Sequence, residues 1–318
     1  MILIRRLLAL LICFTALSRA DVNPRELIQQ GKADEARRAL GVQIQQNPKN
    51  AQAYHLFCRL YYQLEQWDKA LKMAEKAVAL EPGNSVYHQW LGRAAGRKAE
   101  NSNPFTAFML ARRVRAEFEQ AVALDGSNLS ARTDLAEYYM EAPGFLGGDK
   151  NKSRQQADVV ARHDPALASY IRAQVEESQG NTHAEEEYKN AIKESDNGAR
   201  YWIELAYYYR RAGRMQEMEE AITHSLTASH RTNLPEYDGA YLLLRTERNL
   251  NTAVQMLRHY LAGNSLSEDG PAFHAHFMLG ELMEKQGDRK GAAAEFRAAL
   301  ALASDYRAAQ DALARVSR

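Results

Sequence analysis

The chain has 318 residues, with 41 Lys or Arg against 40 Asp or Glu, for a formal charge of +1. That balance lacks the basic excess of a non-specific nucleic-acid binder, so no nucleic-acid partner is expected. At roughly 150 residues per domain the length suggests two domains, a prior that an internal repeat would override.

The opening MILIRRLLALLICFTALSRA places Arg5 and Arg6 before an apolar run from Leu7 to Leu17, and then Ser18-Arg19-Ala20. A positive start, a short apolar centre and small residues at the exit read as a secretory signal peptide over 1–20. The run is too short for the ~20 apolar residues of a spanning helix. Leu10-Leu11-Ile12 lacks the small residue that a lipid-attachment site at Cys13 requires. The expected product is exported, periplasmic or secreted, with no stable membrane span after cleavage. Loss of Arg5, Arg6 and Arg19 leaves 38 basic residues against 40 acidic ones. Cys58 then stands alone, so no intramolecular disulfide is expected. Asn128-Leu-Ser and Asn151-Lys-Ser are acceptor sequons only in a eukaryotic host, and the expected host compartment is a bacterial periplasm.

Residues 21–50 hold Gly31, Ala36, Leu40 and Pro48, the second half of a two-helix unit whose first helix is cut short. Residues 51–84 give a whole unit of 34 residues. Tyr54, Phe57 and Tyr61 recur at helical spacing on a first helix, and Ala70, Ala74 and Ala77 on a second, which Pro82 ends. Small residues on the second helix let the first approach closely. This stretch resembles the tetratricopeptide repeat in both its pattern of aromatic, Ala and Pro landmarks and its period.

The resemblance continues over 85–128, 129–165, 166–196, 197–230, 231–265 and 271–304, with a solvating cap helix in 305–318. Beside 51–84, its most specific copies are those with Trp202, Leu205-Ala206, Tyr209 and Gly213, and with Leu279-Gly280, Ala292, Phe296 and Ala299. It implies an all-α fold, an α-solenoid of stacked helix-turn-helix units over 21–318 with a C-terminal capping helix. Two units carry insertions, near 97–112 and 141–150. The second, EAPGFLGGDK, is glycine-rich and runs into a lysine, but it lacks both the preceding strand and the G-x-x-x-x-G-K-[ST] order of a phosphate cradle. It reads as an enlarged turn, with Pro143 ending one helix, Asp149 capping the next, and Phe145 and Leu146 tucked against neighbouring helices.

Catalytic signatures such as H-E-x-x-H, C-x-x-C, G-x-S-x-G and G-x-G-x-x-G are absent from the sequence. His274 and His276 fall on different helix faces, and Cys58 takes a small-residue core position. No catalytic, cofactor or metal residue is therefore nominated. Binding is better supported, because the resemblance implies a concave surface lined by first helices. Projection away from the core stripes selects His55, Arg59 and Tyr62, then Gln89, Arg93 and Arg97, then Glu137 and Glu141, then Ile203, Tyr207 and Arg210, and Phe277 beyond. Arg59, Tyr62, Arg93 and Arg97 form a cluster with no expected packing role. Thr133, Glu176, Glu177, Glu281 and Glu284 complete an alternation of basic and acidic stretches suited to an extended peptide or protein partner. The carboxylate clamp found in some arrays of this kind is incomplete, since Ser130 and Asp134 replace its polar and basic groups. The expected function is a non-enzymatic interaction scaffold in an exported compartment. The alternative is an enzyme or small-ligand binder with a pocket built by the two insertions.

Overall fold

Short connections ending in asparagine start the first helices of the early units. Asn50, Asn84 and Asn128 turn their side-chain oxygens back onto the backbone N–H groups of Ala53, Tyr87 and Ala131 at 3.0–3.3 Å. Each such cap satisfies a donor that the helix start leaves orphaned and is worth about 1 kcal/mol.

The computed structural model describes residues 23–230 and 232–318, and the expected signal peptide at 1–20 lies outside the described residues. The helices pair in sequence: α1 (Pro24–Gln29) with α2 (Ala33–Gln46), α3 (Ala51–Gln63) with α4 (Trp67–Leu80), α5 (Ser85–Glu100) with α6 (Pro104–Leu124), and α7 (Leu129–Glu141) with α8 (Lys150–Val160). Then follow α9 (Pro165–Ser178) with α10 (Ala184–Glu194), α11 (Ala199–Arg211) with α12 (Met215–Thr227), α13 (Leu234–Thr246) with α14 (Leu250–Ala262), and α15 (Ala272–Lys285) with α16 (Arg289–Leu302). A single helix, α17 (Arg307–Val316), follows the last pair. Apart from one isolated bridge between Gly198 and Ser229, the described residues contain no β-structure. The protein is an all-α solenoid.

Close packing inside a pair is set by size complementarity. Ala70, Ala74 and Ala77 of α4 are fully buried under α3. In two other pairs the small partner is on the first helix: a Cβ at Gly92 would lie 2.4 Å from the Phe118 ring, and one at Gly280 would lie 2.5 Å from Phe296. Glycine faces phenylalanine in these pairs, and cysteine packs with alanine in the α3–α4 pair, so a bulky ring is met by the smallest residue.

The 141–150 segment is a turn. A single 3-10 turn covers Gly144–Leu146, Gly147 adopts φ +93°, and the Asp149 carboxylate accepts N–H bonds from Asn151 and Lys152 at the start of α8. The expectation for Phe145 is corrected: it is 78% exposed, with its ring stacked on Phe108 at 6.4 Å. Both rings stand on the two insertions, and Phe108 is itself 38% exposed.

The ends of the array meet. Arg37 of α2 donates to Asp305 at 2.5 Å, the Ser304 N–H donates to Asp34 at 3.0 Å, and Gln66 adds a 2.9 Å bond to Asp305. Gly31, at φ +68°, sits so close to the start of α15 that a Cβ there would lie 2.2 Å from the Ala272 nitrogen. One apolar core accordingly joins Leu27, Ile28 and Leu40 of the first pair to Phe273, Phe296 and Val316 of the last units. The helix pairs thus form a closed circuit.

Candidate functional site

Closure creates a chamber of about 730 Å³ on the inner side of the array. Its walls come from α3, α5 and α7, from the inner faces of both insertions, and from the 263–271 connection with the start of α15. Six of the residues selected from sequence line it together: Arg59, Tyr62, Arg93, Arg97, Glu137 and Glu141.

Within the chamber the aromatic groups are already organised. Tyr62 packs edge-on to Trp67 and Trp90, with ring centroids at 5.3 and 5.5 Å. Arg59 and Arg93 each lie over Trp90, at 5.3 and 5.1 Å, and Arg97 lies over Trp67 at 4.9 Å. Each arginine also has a carboxylate. Arg59 gives two N–H groups to Glu268, Arg93 donates to Asp134 at 2.6 Å, and Arg97 to Glu100 at 2.5 Å. The expectation that this cluster has no packing role is therefore overturned: its members tie first helices to one another and to the 263–271 connection.

The remaining selected residues lie elsewhere. His55 is buried against Tyr87 and Trp90, and burial, helped by Arg59, holds its imidazole down at about 3. Gln89 is 3% exposed and donates to Ser130 and Asp134, both at 2.7 Å. Neither is a groove residue. Ile203 and Phe277 are likewise core residues. The reason is common to all four: a first helix packs against its own partner and both neighbouring units, so its apolar arc is wider than a single stripe. Tyr207 and Arg210 stay half-buried together on α11, with the guanidinium 5.8 Å from the ring centroid, outside the chamber walls. Burial lifts the Tyr207 hydroxyl, with Asp238 the largest charged neighbour. Glu176, Glu177, Glu281 and Glu284 pair with Arg154, Arg211, Arg245 and Arg315 from adjoining helices. The alternating charges thus staple unit to unit.

Several acids of the chamber have no such partner among the described contacts. Glu137 is raised to about 7 by confinement and then by the nearby Glu141 and Asp134 carboxylates, and Glu141 is raised for the first of these reasons. Asp238 on α13, outside the chamber walls, keeps only partial contact with solvent, and burial plus the Glu204 carboxylate push it up to about 8. Burial pushes the Cys58 thiol up to about 12, which leaves it an inert core group. His274, hydrogen-bonded to the Tyr237 hydroxyl, is held down at about 4 by burial.

Sequence reading missed Tyr237, Glu268, Asp269 and His274, all of which line the chamber. The one signal was length: the 263–271 connection has nine residues where 47–50, 81–84 and 125–128 have four. Among the described residues no helix is long and apolar enough to cross a membrane.

Residues 27–94 match the tetratricopeptide repeat family. No curated protein matches the sequence. Among solved structures, the chain is similar to one from the APC/C Cut9–Hcn1 hetero-tetramer, at 13% identity and a TM-score of 0.43, over 93% of this chain and 54% of that one. It therefore spans about half the length of that relative. A tetratricopeptide repeat protein from Parabacteroides merdae is similar at 13% identity and a TM-score of 0.43, over 93% of this chain and 99% of that one. MamA is similar at 18% identity and a TM-score of 0.41, over 54% of this chain and 94% of that one. The family match falls on α1 to α5, and paired helices continue from there to α16.

Proposed function

We propose that the chain is a non-enzymatic interaction scaffold of an exported compartment, and that it captures a short segment of a partner protein in the chamber. Arrays of this fold offer concave surfaces for protein partners. The observation that carries the reading is the convergence of Arg59, Tyr62, Arg93, Arg97, Glu137 and Glu141 on one cavity. Aromatic rings and arginines in a confined setting are the groups that dominate interface energetics. Closure limits the contact to a short run of partner chain, in place of the long groove expected from an open array. Export is supported by the arginine-led apolar start over 1–20.

A second reading has one specific support. Both insertions supply chamber walls through Ala111, Pro143 and Leu146, and the volume lies within the range of small-ligand pockets.

A photo-crosslinking amino acid placed at Glu141, on the chamber wall, and separately at Lys72, on the exposed face of α4, separates these readings in the exporting cell. The scaffold reading expects a discrete protein adduct from position 141 and none from 72. Equal labelling at both positions, or labelling at neither, rejects it in favour of the small-ligand reading. N-terminal sequencing of the exported fraction tests cleavage after Ala20.

A further inference from the structure

The connection between α14 and α15 does not loop out into solvent. It runs along α1 and α3 and is gripped there by three side chains. Gln29 donates to the Leu266 carbonyl at 3.2 Å, and Gln63 donates to the Glu268 carbonyl at 2.7 Å. The Arg59 guanidinium gives two N–H groups to the Glu268 carboxylate. Leu266 packs its side chain against the core beside them. Behind the segment, the Tyr260 hydroxyl receives the Ser267 N–H at 2.9 Å and donates to the Gly270 carbonyl at 2.5 Å.

Two main-chain carbonyls, one apolar side chain and one carboxylate held by a fork of N–H donors are the elements by which a short acidic peptide segment is recognised. Here all the recognising groups stand on first helices, and the recognised groups belong to the same chain, 209 residues further on. We propose that Leu266–Glu268 is a built-in occupant of a peptide-recognition surface formed by Gln29, Arg59 and Gln63, and that a partner segment binds there by replacing it. This inference rests on the interaction-scaffold reading and names the kind of partner: a segment with an apolar residue followed two positions later by a carboxylate at the start of a turn.

The charge arrangement makes this an exchange rather than a simple opening. Arg59 shares the Trp90 ring with Arg93, so withdrawing Glu268 leaves two guanidinium groups close together, with Asp134 the carboxylate still hydrogen-bonded to one of them. An incoming carboxylate removes that penalty. The tether gives the internal segment a high effective concentration, which for short flexible connections is of millimolar order. A free peptide of the same sequence therefore competes poorly until the internal copy is weakened.

The test uses the full chain and a fluorescein-labelled synthetic peptide of residues 263–271, read by anisotropy. The chain with Leu266→Ser and Glu268→Ser is expected to bind the peptide at least about tenfold more tightly than the unaltered chain, because the tethered competitor is gone. Adding Arg59→Ala should abolish that gain, as should a peptide with Gln in place of Glu268. Circular dichroism checks that the double variant folds. If it does not, Glu268→Gln alone keeps the shape of the segment and should still tighten binding several-fold. Equal binding to the altered and unaltered chains, gain that survives Arg59→Ala, or no binding to any variant each overturns the proposal. None of these outcomes bears on crosslinking from position 141, so the scaffold reading stands or falls separately.

Discussion

Arg37 and Asp305 lie 268 residues apart in sequence and hydrogen-bond at 2.5 Å, where the last unit of the array meets the first. Their side chains remain 28% and 35% exposed, which places the pair among partly solvated ion pairs worth less than about 1 kcal/mol. The tight contact at Gly31 is of another kind, because a Cβ there meets backbone. We expect Arg37→Ala to lower stability by less than about 1 kcal/mol and Gly31→Ala by roughly 2–4 kcal/mol, from positive-φ strain plus overpacking. Urea midpoints of the two variants check this. A larger loss in Arg37→Ala would mean that polar contacts rather than packing hold the ends together.

Gly280 and Phe296 offer a second stability test. Gly280→Ala gains about 1 kcal/mol of helix propensity but forces a methyl group into the Phe296 ring, so a net loss of roughly 1–3 kcal/mol is expected. Phe296→Leu in the same chain makes room for that methyl. The double variant should lose less than the two single losses added together, and a double-mutant cycle measures the coupling.

Two buried groups set opposite pH limits. The folded chain holds a proton on Asp238 up to about 8, whereas the unfolded carboxyl releases it near 3.8. Its contribution is therefore present below 3.8 and is lost as pH rises towards about 8. His274 stays neutral in the folded chain down to about 4 against an ordinary value of 6.5, so its contribution is present above 6.5 and lost as pH falls towards 4. Asp238→Asn should flatten the alkaline side of the stability profile and leave the acid side in place. Thermal unfolding of both chains between pH 4 and 9 reads the difference, and an unchanged alkaline slope would falsify the assignment to Asp238.

Phe105 and Phe145 are 77% and 78% exposed. Substituting serine at either position should change stability by no more than about 1.5 kcal/mol, the upper range for losing an aromatic pair such as Phe108–Phe145. A loss well above that in guanidinium melts would show that the ring is covered in solution.

The helices were legible because each rests on local chemistry. Asparagine caps, small residues opposite large ones and a 34-residue period all act within one unit. The chamber was only half legible. Projection from first helices found Arg59, Arg93 and Glu137, which need only the 3.6-residue turn to be placed. It misassigned His55 and Gln89, because eight of the thirteen residues of α3 are buried and the exposed arc is narrower than a stripe argument assumes. It could not place Glu268, since its meeting with Arg59 depends on small rotations accumulated over every intervening unit.

Closure also changes how the molecule comes apart. An open array frays, because each terminal unit has a single neighbour and contacts stay local. Here α2 touches both α3 and α16, so neither end is free to peel away alone. The seam between Asp34 and Ser304 spans 270 residues and can form only after the helix pairs between them have docked. The molecule therefore assembles from many short-range steps and one long-range one. That last step converts a chain of loosely linked neighbours into a single cooperative body, and amide exchange in α2 and α16 should be as slow as in the middle helices.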